Sequence, residues 1–254
     1  TEGGVGLQTG DNGRFLAYLE GTPEARMLRE SNGEEGVGPG SFSTPYRGIH
    51  RIIGQNEVAP ERFWCQEYVR TGIPERKAHW VPFAQGDPEG NRWIRLNNVF
   101  IDWSEASAQW LFANSGKRGA NMPVVRNPHL YFGSGFCWNR VINLRSPVKA
   151  RLLAGSILST ESIFTCSCTA SAPTEVWLAV LNSGLMQACV RPFARSPQKF
   201  EVSHAKIVPL PDSADAWRRG RSAASVAVMI LAEAAYALGL VGAGSAIGHL
   251  ADWL

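Results

Sequence analysis

The amino-acid sequence predicts an α+β fold, in which a twisted, mostly antiparallel sheet is flanked by helices and followed by a helical C-terminal tail. Short segments rich in aromatic and β-branched residues recur between turns that contain Gly, Pro and Asn, as strands do. Two segments, 104–113 and 174–189, have the apolar spacing of helices instead. A hydrophobic fraction of 44% and a charged fraction of 19% over 254 residues exclude a disordered chain and allow a sizeable core.

The first part of the chain is predicted to consist mostly of turns and loops. Residues 1–20 form a turn-rich loop that ends in a short apolar run, Phe15 to Leu19. Residues 21–45 contain many Gly, Glu, Pro and Ser residues and little apolar periodicity, which predicts a surface loop or a flexible insertion. The segment from Phe63 to Val69 is aromatic and β-prone, so we expect a strand there.

The middle of the chain is predicted to contain strands and one helix. The run Trp80–Phe83 leads into a turn rich in Gly, Asp, Pro and Asn, and the next strand ends at Val99–Trp103. Ser104 can cap a helix that reaches Ala113. A polar, basic loop follows at 114–121.

The second half is predicted to add short strands and a second helix. The segment 131–142 is strand-like, although two glycines interrupt it, and 150–168 suggests two short strands. Apolar positions recur with helical spacing over 174–189, and 206–210 reads as a short exit strand that ends at proline.

The C-terminal segment differs in composition. An arginine-rich stretch at 218–221 precedes a long apolar segment, 223–250, in which only Glu233 and His249 ionise near neutral pH. Its length would satisfy a membrane span. Its Ala and Gly content and the central Glu233 favour helices packed on a partner domain instead. We therefore expect no membrane insertion, with a small membrane-anchored enzyme as one alternative.

The sequence contains no recognisable catalytic or metal-binding motif. The five histidines are dispersed, without an HExxH motif or a Cys-His pair of recognisable spacing. The five cysteines form no CxxC pair. Their odd number and the lack of a signal peptide favour free thiols in a reducing cytoplasm. We therefore expect no catalytic residue and no metal ligand in this chain.

A set of short motifs recurs along the chain in a defined order. The first are Gly-Leu-Gln-Thr-Gly-Asp-Asn at 6–12 with Arg14-Phe15, then Trp80-Val81-Pro82, then the aromatic strand Val99–Trp103. The later ones are Arg126 with Tyr131-Phe132, Gly135 and Trp138, the segment Leu178–Ser183, and an exit made of Phe200, Val202, Ile207 and Leu210-Pro211. In this order the chain resembles the region after the catalytic domain in BREX-type adenine-specific DNA methyltransferases of phage defence, and in related type IIG restriction-modification enzymes.

The resemblance spans residues 6–211 and implies a target recognition domain, the part of such enzymes that reads DNA. Residues 1–20 would be the junction from a methyltransferase domain that this chain lacks, 21–211 the recognition domain, and 212–254 a helical tail. The implied function is sequence-specific recognition of double-stranded DNA for N6-adenine methylation. The resemblance places S-adenosylmethionine on the missing catalytic domain and no cofactor here, so we expect the chain alone to be inactive. Other defence-system subunits are possible partners.

Arginine, lysine and asparagine side chains are the expected DNA contacts, because cationic groups bind phosphates and amides read base edges. The loop Lys117–Asn121 is flanked by glycines that would let the backbone approach a groove. Further basic clusters lie at 47–51, 70–79 and 139–145. The residues predicted to bind DNA are Thr9, Asp11, Asn12, Arg47, Arg51, Lys117, Arg118, Asn121, Arg126, Asn139, Arg140 and Arg145.

The run Thr9–Asn12 predicts a turn, since Asp and Asn hydrogen-bond their own backbone and tolerate left-handed angles. Two interpretations of it stay open. It is either a simple interdomain turn, or a loop beside a flipped adenine that contacts the DNA backbone or the orphaned base. Asn182 and Ser183 are expected to end or cap a helix and to pack the domain.

A different class of function also fits the composition. The net charge is only +3, so the basic loops could be ordinary surface. The chain would then be a non-catalytic interaction module of a bacterial multiprotein complex that does not contact DNA. Salt-dependent DNA binding separates the two hypotheses, because phosphate contacts release counterions.

Overall fold

The computed structural model describes residues 2–31, 48–74, 78–85, 98–133, 135–139, 148–153, 155–159, 163–167, 174–184, 186, 188 and 200–205. Its strands are β1 (Glu2–Gly4), β2 (Leu16–Leu19), β3 (Arg51–Ile53), β4 (Trp80–Ala84), β5 (Val99–Asp102), β6 (Gly135–Asn139), β7 (Ala150–Leu153), β8 (Ile157–Leu158) and β9 (Ile163–Ser167). Its helices are α1 (Asn12–Phe15), α2 (Pro23–Ser31), α3 (Glu67–Thr71), α4 (Glu105–Asn114), α5 (Thr174–Asn182) and α6 (Val202–Ala205). The predicted α+β class is confirmed.

The described strands form two sheets. A mixed sheet has the order β3-β2-β5-β4-β8, in which β2 is parallel to β3 and β4 is parallel to β8. The two central pairings, β2 with β5 and β4 with β5, are antiparallel. The second sheet, β1-β9-β6-β7, is antiparallel throughout. Antiparallel pairs thus predominate as predicted, but they are divided between two sheets.

Residues 2–20 supply a strand to each sheet. Glu2 pairs with Ser167 across the antiparallel sheet, and β2 lies between β3 and β5 in the mixed one. Phe15, Leu16 and Tyr18 are completely buried. The turn-rich loop predicted over residues 1–20 therefore begins with a strand, β1, and the apolar run that follows it forms β2.

Helix α4 forms where the sequence predicts it. Ser104 is its N-cap, and the Ser104 hydroxyl accepts a hydrogen bond from the backbone N–H of Ser107 at 3.4 Å. Asp102 strengthens this start, because its carboxylate accepts from the Ser104 N–H at 3.0 Å and from the Ser107 hydroxyl at 2.7 Å. Ala108 and Leu111 lie on the inner face of the helix and are buried in the core.

The strand predicted at Phe63–Val69 is wrong. The chain forms a short 3₁₀ turn that ends at Phe63 and then helix α3, which Gly72 terminates with a φ of +77°. The aromatic residues pack locally: the rings of Phe63 and Tyr68 meet edge to face at 5.3 Å. An aromatic residue favours a strand only where a pleated, half-buried surface receives it. Here the helix buries Val69 instead.

The loop predicted at 21–45 is wrong over its first third, where α2 forms. The Thr22 hydroxyl accepts a hydrogen bond from the N–H of Ala25 at 3.3 Å, and Pro23 occupies the first helical position, where its missing N–H costs nothing. Ala25 and Leu28 are buried, and α2 packs on β2. Two apolar residues one turn apart were too short a pattern to reveal this helix.

The helix predicted at 174–189 is interrupted: α5 ends at Asn182, Ser183 is not helical, and the described residues Gly184, Met186 and Ala188 are helical again. The Asn182 amide is buried, and it bonds to both the N–H and the carbonyl of Ala150 at 2.9 and 2.8 Å. The Ser183 hydroxyl accepts from the N–H of Met186 at 3.2 Å. The expectation that these two residues end a helix and pack the domain is confirmed. In 150–168, three strands replace the two predicted.

Several predictions fall outside the described residues. They are the exit strand at 206–210, the helical tail at 212–254 and the apolar segment 223–250. Among the residues that are described, no helix combines the length and the apolar character that crossing a bilayer requires.

Candidate functional site

A cleft of about 510 Å³ opens where three separate parts of the chain meet. Its lining comes from the run Gln8–Gly13, from Gly48 and His50, and from Asn121. Four residues that the sequence predicts as DNA contacts, three of them in the first run and Asn121 far downstream, thus line one site. The remaining lining is mostly glycine backbone and polar side chains.

Backbone pairing fixes the first of these segments against the third. Gln8 and Val124 exchange two backbone hydrogen bonds, of 3.0 and 2.9 Å. The N–H of Leu7 donates to the carbonyl of Leu158 at 2.5 Å, which anchors the same segment on its other side. The turn that follows is therefore held beside the loop that contains Asn121.

Gly10 makes this close approach possible. Its φ is +75°, in the left-handed region that residues with a Cβ atom seldom adopt. A Cβ atom at this position would also collide with the carbonyl oxygens of Asn121 and Met122. No other residue type fits here without moving the neighbouring loop.

The predicted turn at Thr9–Asn12 is present, and its side chains hold it together. The hydroxyl of Thr9, a largely buried residue, donates to Oδ1 of Asn12 at 2.7 Å. Asp11 caps α1, because its Oδ1 accepts from the backbone N–H of Arg14 at 3.1 Å. Thr9 and Asp11 therefore shape the cleft in addition to lining it.

The second segment reaches the cleft through another close backbone contact. A Cβ atom on Gly13 would lie 2.8 Å from the carbonyl oxygen of Gly48, which itself has a φ of +90°. This contact places His50, an exposed residue just before β3, in the lining of the cleft.

The basic loop after α4 supplies the third segment. Asn121 has a φ of +59°, which asparagine tolerates better than most residues, and its exposed amide has no hydrogen-bond partner in the described part of the chain. Lys117 and Arg118 are exposed on the same loop. The Lys117 ammonium donates to Oδ1 of Asn114 at 3.0 Å, whereas Arg118 has no ion pair or hydrogen bond through its side chain among the described residues.

Five of the six other predicted contacts divide into three groups. Arg51 follows His50 and is exposed, with its guanidinium over the ring of Trp80 at 5.4 Å. Arg126 is exposed but does not line the cleft. The predicted contacts Arg47, Arg140 and Arg145 lie outside the described residues, as do Arg76 and Lys77 of a further basic cluster.

Asn139 belongs to a different part of the fold. Its Oδ1 accepts a hydrogen bond from the guanidinium of Arg151 at 2.9 Å. Arg151 is only 2% exposed, and it also donates to the backbone carbonyl of Gln85 at 3.3 Å. Since Gln85 follows β4 and Arg151 lies on β7, this buried guanidinium joins the two sheets. Asn139 therefore has a structural partner away from the cleft.

Two further polar clusters are structural in character. His79 Nε2 lies 3.5 Å from Oδ1 of Asp102, the carboxylate that supports the start of α4. Burial raises the pKa of Tyr131 well above its usual range, and the nearby positive charge of Arg126 opposes this only in part. The Tyr131 ring packs edge to face on Trp103 in the core, so its hydroxyl stays protonated at neutral pH.

The side chains that line the cleft are polar. Its side chains are amides, one hydroxyl, one carboxylate and one imidazole. In the described ranges, no group of three or more His, Cys, Asp or Glu side chains is arranged to hold a metal ion. The amide groups can both donate and accept hydrogen bonds.

The sequence predicts no contact role for Gln8, Gly13, Gly48 or His50. His50 lies in the basic cluster at 47–51. The signal that could have found the glycines is their position beside short polar turns, where a positive φ or a close backbone contact is common. Which distant segment each glycine would face could not be read from the sequence.

Comparison with known proteins gives no relative: no protein-family model matches this chain, and neither does any curated protein.

Proposed function

We propose that this chain recognises DNA sequence on behalf of an adenine-specific DNA methyltransferase. The observation that carries the proposal is the meeting of the turn Thr9–Asn12 with the loop Lys117–Asn121 at one cleft. The sequence singles out both segments as DNA contacts for separate reasons. Their convergence supplies amides for base edges and cations for phosphates within one surface region.

The base-reading part of the proposal rests on Asn121. Its amide is exposed, lines the cleft and has no hydrogen-bond partner among the described residues. An asparagine amide can bond to both the N6 amino group and N7 of adenine, a pattern that distinguishes adenine in the major groove. Asn12, which accepts a hydrogen bond from Thr9, is held beside it.

The phosphate-binding part rests on Lys117, Arg118 and Arg51. All three are exposed, and the first two share a loop with Asn121. Contacts to phosphates carry most of the affinity and make it depend on salt, while contacts to bases carry the specificity.

The chemistry of methyl transfer is assigned to a separate catalytic domain that binds S-adenosylmethionine. In this proposal the present chain positions the DNA, and the partner domain receives the flipped adenine. The chain by itself is therefore expected to bind DNA without transferring methyl groups.

The test is to measure binding of the full chain to a randomised DNA duplex library by fluorescence anisotropy at several salt concentrations, and then to sequence the bound fraction. We expect affinity to fall steeply with salt and a short sequence to be enriched. Replacing Lys117 and Arg118 together by Gln should reduce the salt dependence. The matched control replaces Arg26 and Arg29, two exposed arginines of α2, by Gln.

Two outcomes would contradict the proposal. Absence of salt-dependent DNA binding would favour the interaction module of a multiprotein complex. Methyl transfer by the isolated chain in the presence of S-adenosylmethionine would overturn the division of labour between two domains.

A further inference from the structure

Arg14, which directly follows the cleft-lining Gly13, has its guanidinium against two aromatic rings. Its guanidinium carbon lies 4.1 Å from the ring centre of Trp110 and 4.8 Å from that of Phe15. The two rings contact each other, with centres 5.4 Å apart. Since Phe15 is fully buried, this pair of rings is a fixed platform beneath an exposed cation.

The hydrogen-bonding groups of this guanidinium are unused in the described part of the chain. Its side chain forms no ion pair or hydrogen bond there, although its backbone N–H donates to Asp11. The other exposed arginines nearby in sequence differ: Arg26 donates to the carbonyl of Gly21, and Arg29 pairs with Glu20 at 2.6 Å. A guanidinium over a ring face keeps its N–H groups available at its edge.

The platform of Phe15 and Trp110 adjoins the cleft and is linked to the basic loop. Arg14 directly follows Gly13, which lines the cleft. From Trp110, the connection continues along α4, where the Asn114 amide donates to the Trp110 carbonyl at 2.8 Å and its oxygen accepts from Lys117 at 3.0 Å. Arg14 and Lys117 are thus two exposed cations linked through Trp110 and Asn114.

We propose that Arg14 is a phosphate-contacting residue that anchors the DNA backbone beside the cleft, and that Trp110 and Phe15 position it. The inference rests on the proposed function, since it names a further contact of the same site. Its physical basis is preorganisation: the rings restrict the guanidinium before DNA arrives, so less side-chain freedom is lost on binding. An arginine edge also matches phosphate oxygens through paired hydrogen bonds.

The experiment compares Arg14→Gln with the control Arg26→Gln in the full chain, using a DNA duplex and a series of salt concentrations. Each phosphate contact contributes about 0.9 to the slope of log affinity against log salt. We expect Arg14→Gln to lower the slope by about one and to weaken binding roughly tenfold near 0.1 M salt. Arg26→Gln should leave both values unchanged.

A second pair of variants tests the positioning role of the ring. Trp110→Leu keeps the charge at Arg14, so we expect weaker binding with an unchanged salt slope. Combined with Arg14→Gln, it should add no further loss, because the ring acts through the arginine. If Trp110→Leu lowers the unfolding midpoint, Trp110→Phe is measured instead: its smaller ring holds the guanidinium less firmly, so binding should weaken slightly at an unchanged salt slope, with no further loss when combined with Arg14→Gln.

The outcomes separate this inference from the proposed function. If the unaltered chain binds DNA and Arg14→Gln keeps its salt slope, the phosphate contact is overturned while DNA recognition stands. If the losses from the two variants multiply, positioning by Trp110 is overturned. If the unaltered chain does not bind DNA, both the proposed function and the contact fall.

Discussion

Gly10 lies so close to Asn121 that a Cβ atom at residue 10 would collide with the Asn121 carbonyl oxygen. The contact joins the turn and the basic loop at the cleft, and it allows a sharp comparison between two glycines. Gly10 and Gly116 have nearly the same φ, +75° and +73°, but no atom lies within 4 Å of a Cβ built on Gly116.

We therefore expect Gly10→Ala to cost far more stability than Gly116→Ala. Left-handed backbone alone costs about 1–2 kcal/mol for alanine, and displacement of the loop adds roughly 1–3 kcal/mol at Gly10. Urea unfolding of both variants measures the difference. Equal losses would mean that the loop yields freely and that the contact does not constrain the cleft.

Asn121→Gly should change DNA sequence preference without reducing stability. Glycine accepts the left-handed angle of this residue, so the substitution removes the amide and leaves the backbone as it is. Loss of an amide that reads one base should reduce discrimination at that position by about 1–3 kcal/mol. Sequencing of DNA selected by each protein measures this. An unchanged preference would remove Asn121 from the base-reading set.

Asn139 should affect stability and not DNA preference, in contrast to the expectation from sequence. Asn139→Ala deprives the buried Arg151 of an acceptor, at a cost of roughly 1–3 kcal/mol. Asn139→Asp keeps the acceptor and supplies a counter-charge, so its stability should equal or exceed that of the unaltered chain. A large loss in the aspartate variant would contradict this account of the site.

Asn182→Ala should destabilise the chain by about 2–3 kcal/mol, because it leaves both the N–H and the carbonyl of Ala150 buried without a partner. Ser183→Ala removes a hydroxyl that accepts from the Met186 N–H and donates to the Val180 carbonyl, and it should cost about 1 kcal/mol. Denaturant titration gives both values. The reverse order would show that the Asn182 amide is replaceable by water.

The raised pKa of Tyr131 predicts a loss of stability in alkali. Above about pH 10, an unfolded tyrosine releases its proton while the buried one retains it. The folded state then binds more protons than the unfolded state, so the free energy of unfolding falls as pH rises, by up to about 1.4 kcal/mol per pH unit. Tyr131→Phe should remove this part of the decline. Parallel curves for the two proteins between pH 9 and 11 would contradict it.

Local signals predicted some elements well. Ser104 and the apolar pattern after it are enough to define α4, because a cap and a buried face act within a few residues. The same reasoning failed at Phe63–Val69, where aromatic composition favours a strand and the packing of Val69 and Tyr68 produces α3. The strand propensity of these aromatic residues is overridden there by packing contacts that cannot be read from the local sequence.

The sequence predicts the segments that line the cleft, but it does not predict that they lie side by side. The turn at Thr9–Asn12 follows from its own side chains. Its position beside Asn121 depends on the backbone pairing of Gln8 with Val124, two residues far apart in the sequence. No local pattern encodes such a pairing, which explains why the predicted contacts on Asn139 and at the cleft could not be separated beforehand.

The pairing of β1 with β9 has a consequence for the order of folding. Because Glu2 pairs with Ser167, β1 cannot form its hydrogen bonds until β9, which is synthesised much later, is available. During that interval β1 exposes unpaired backbone groups, and the segment Gln8–Gly13 lacks its neighbours at Val124 and Leu158. Long-range closures of this kind slow folding. The cleft is therefore completed only after the segments around Val124 and Leu158 have left the ribosome.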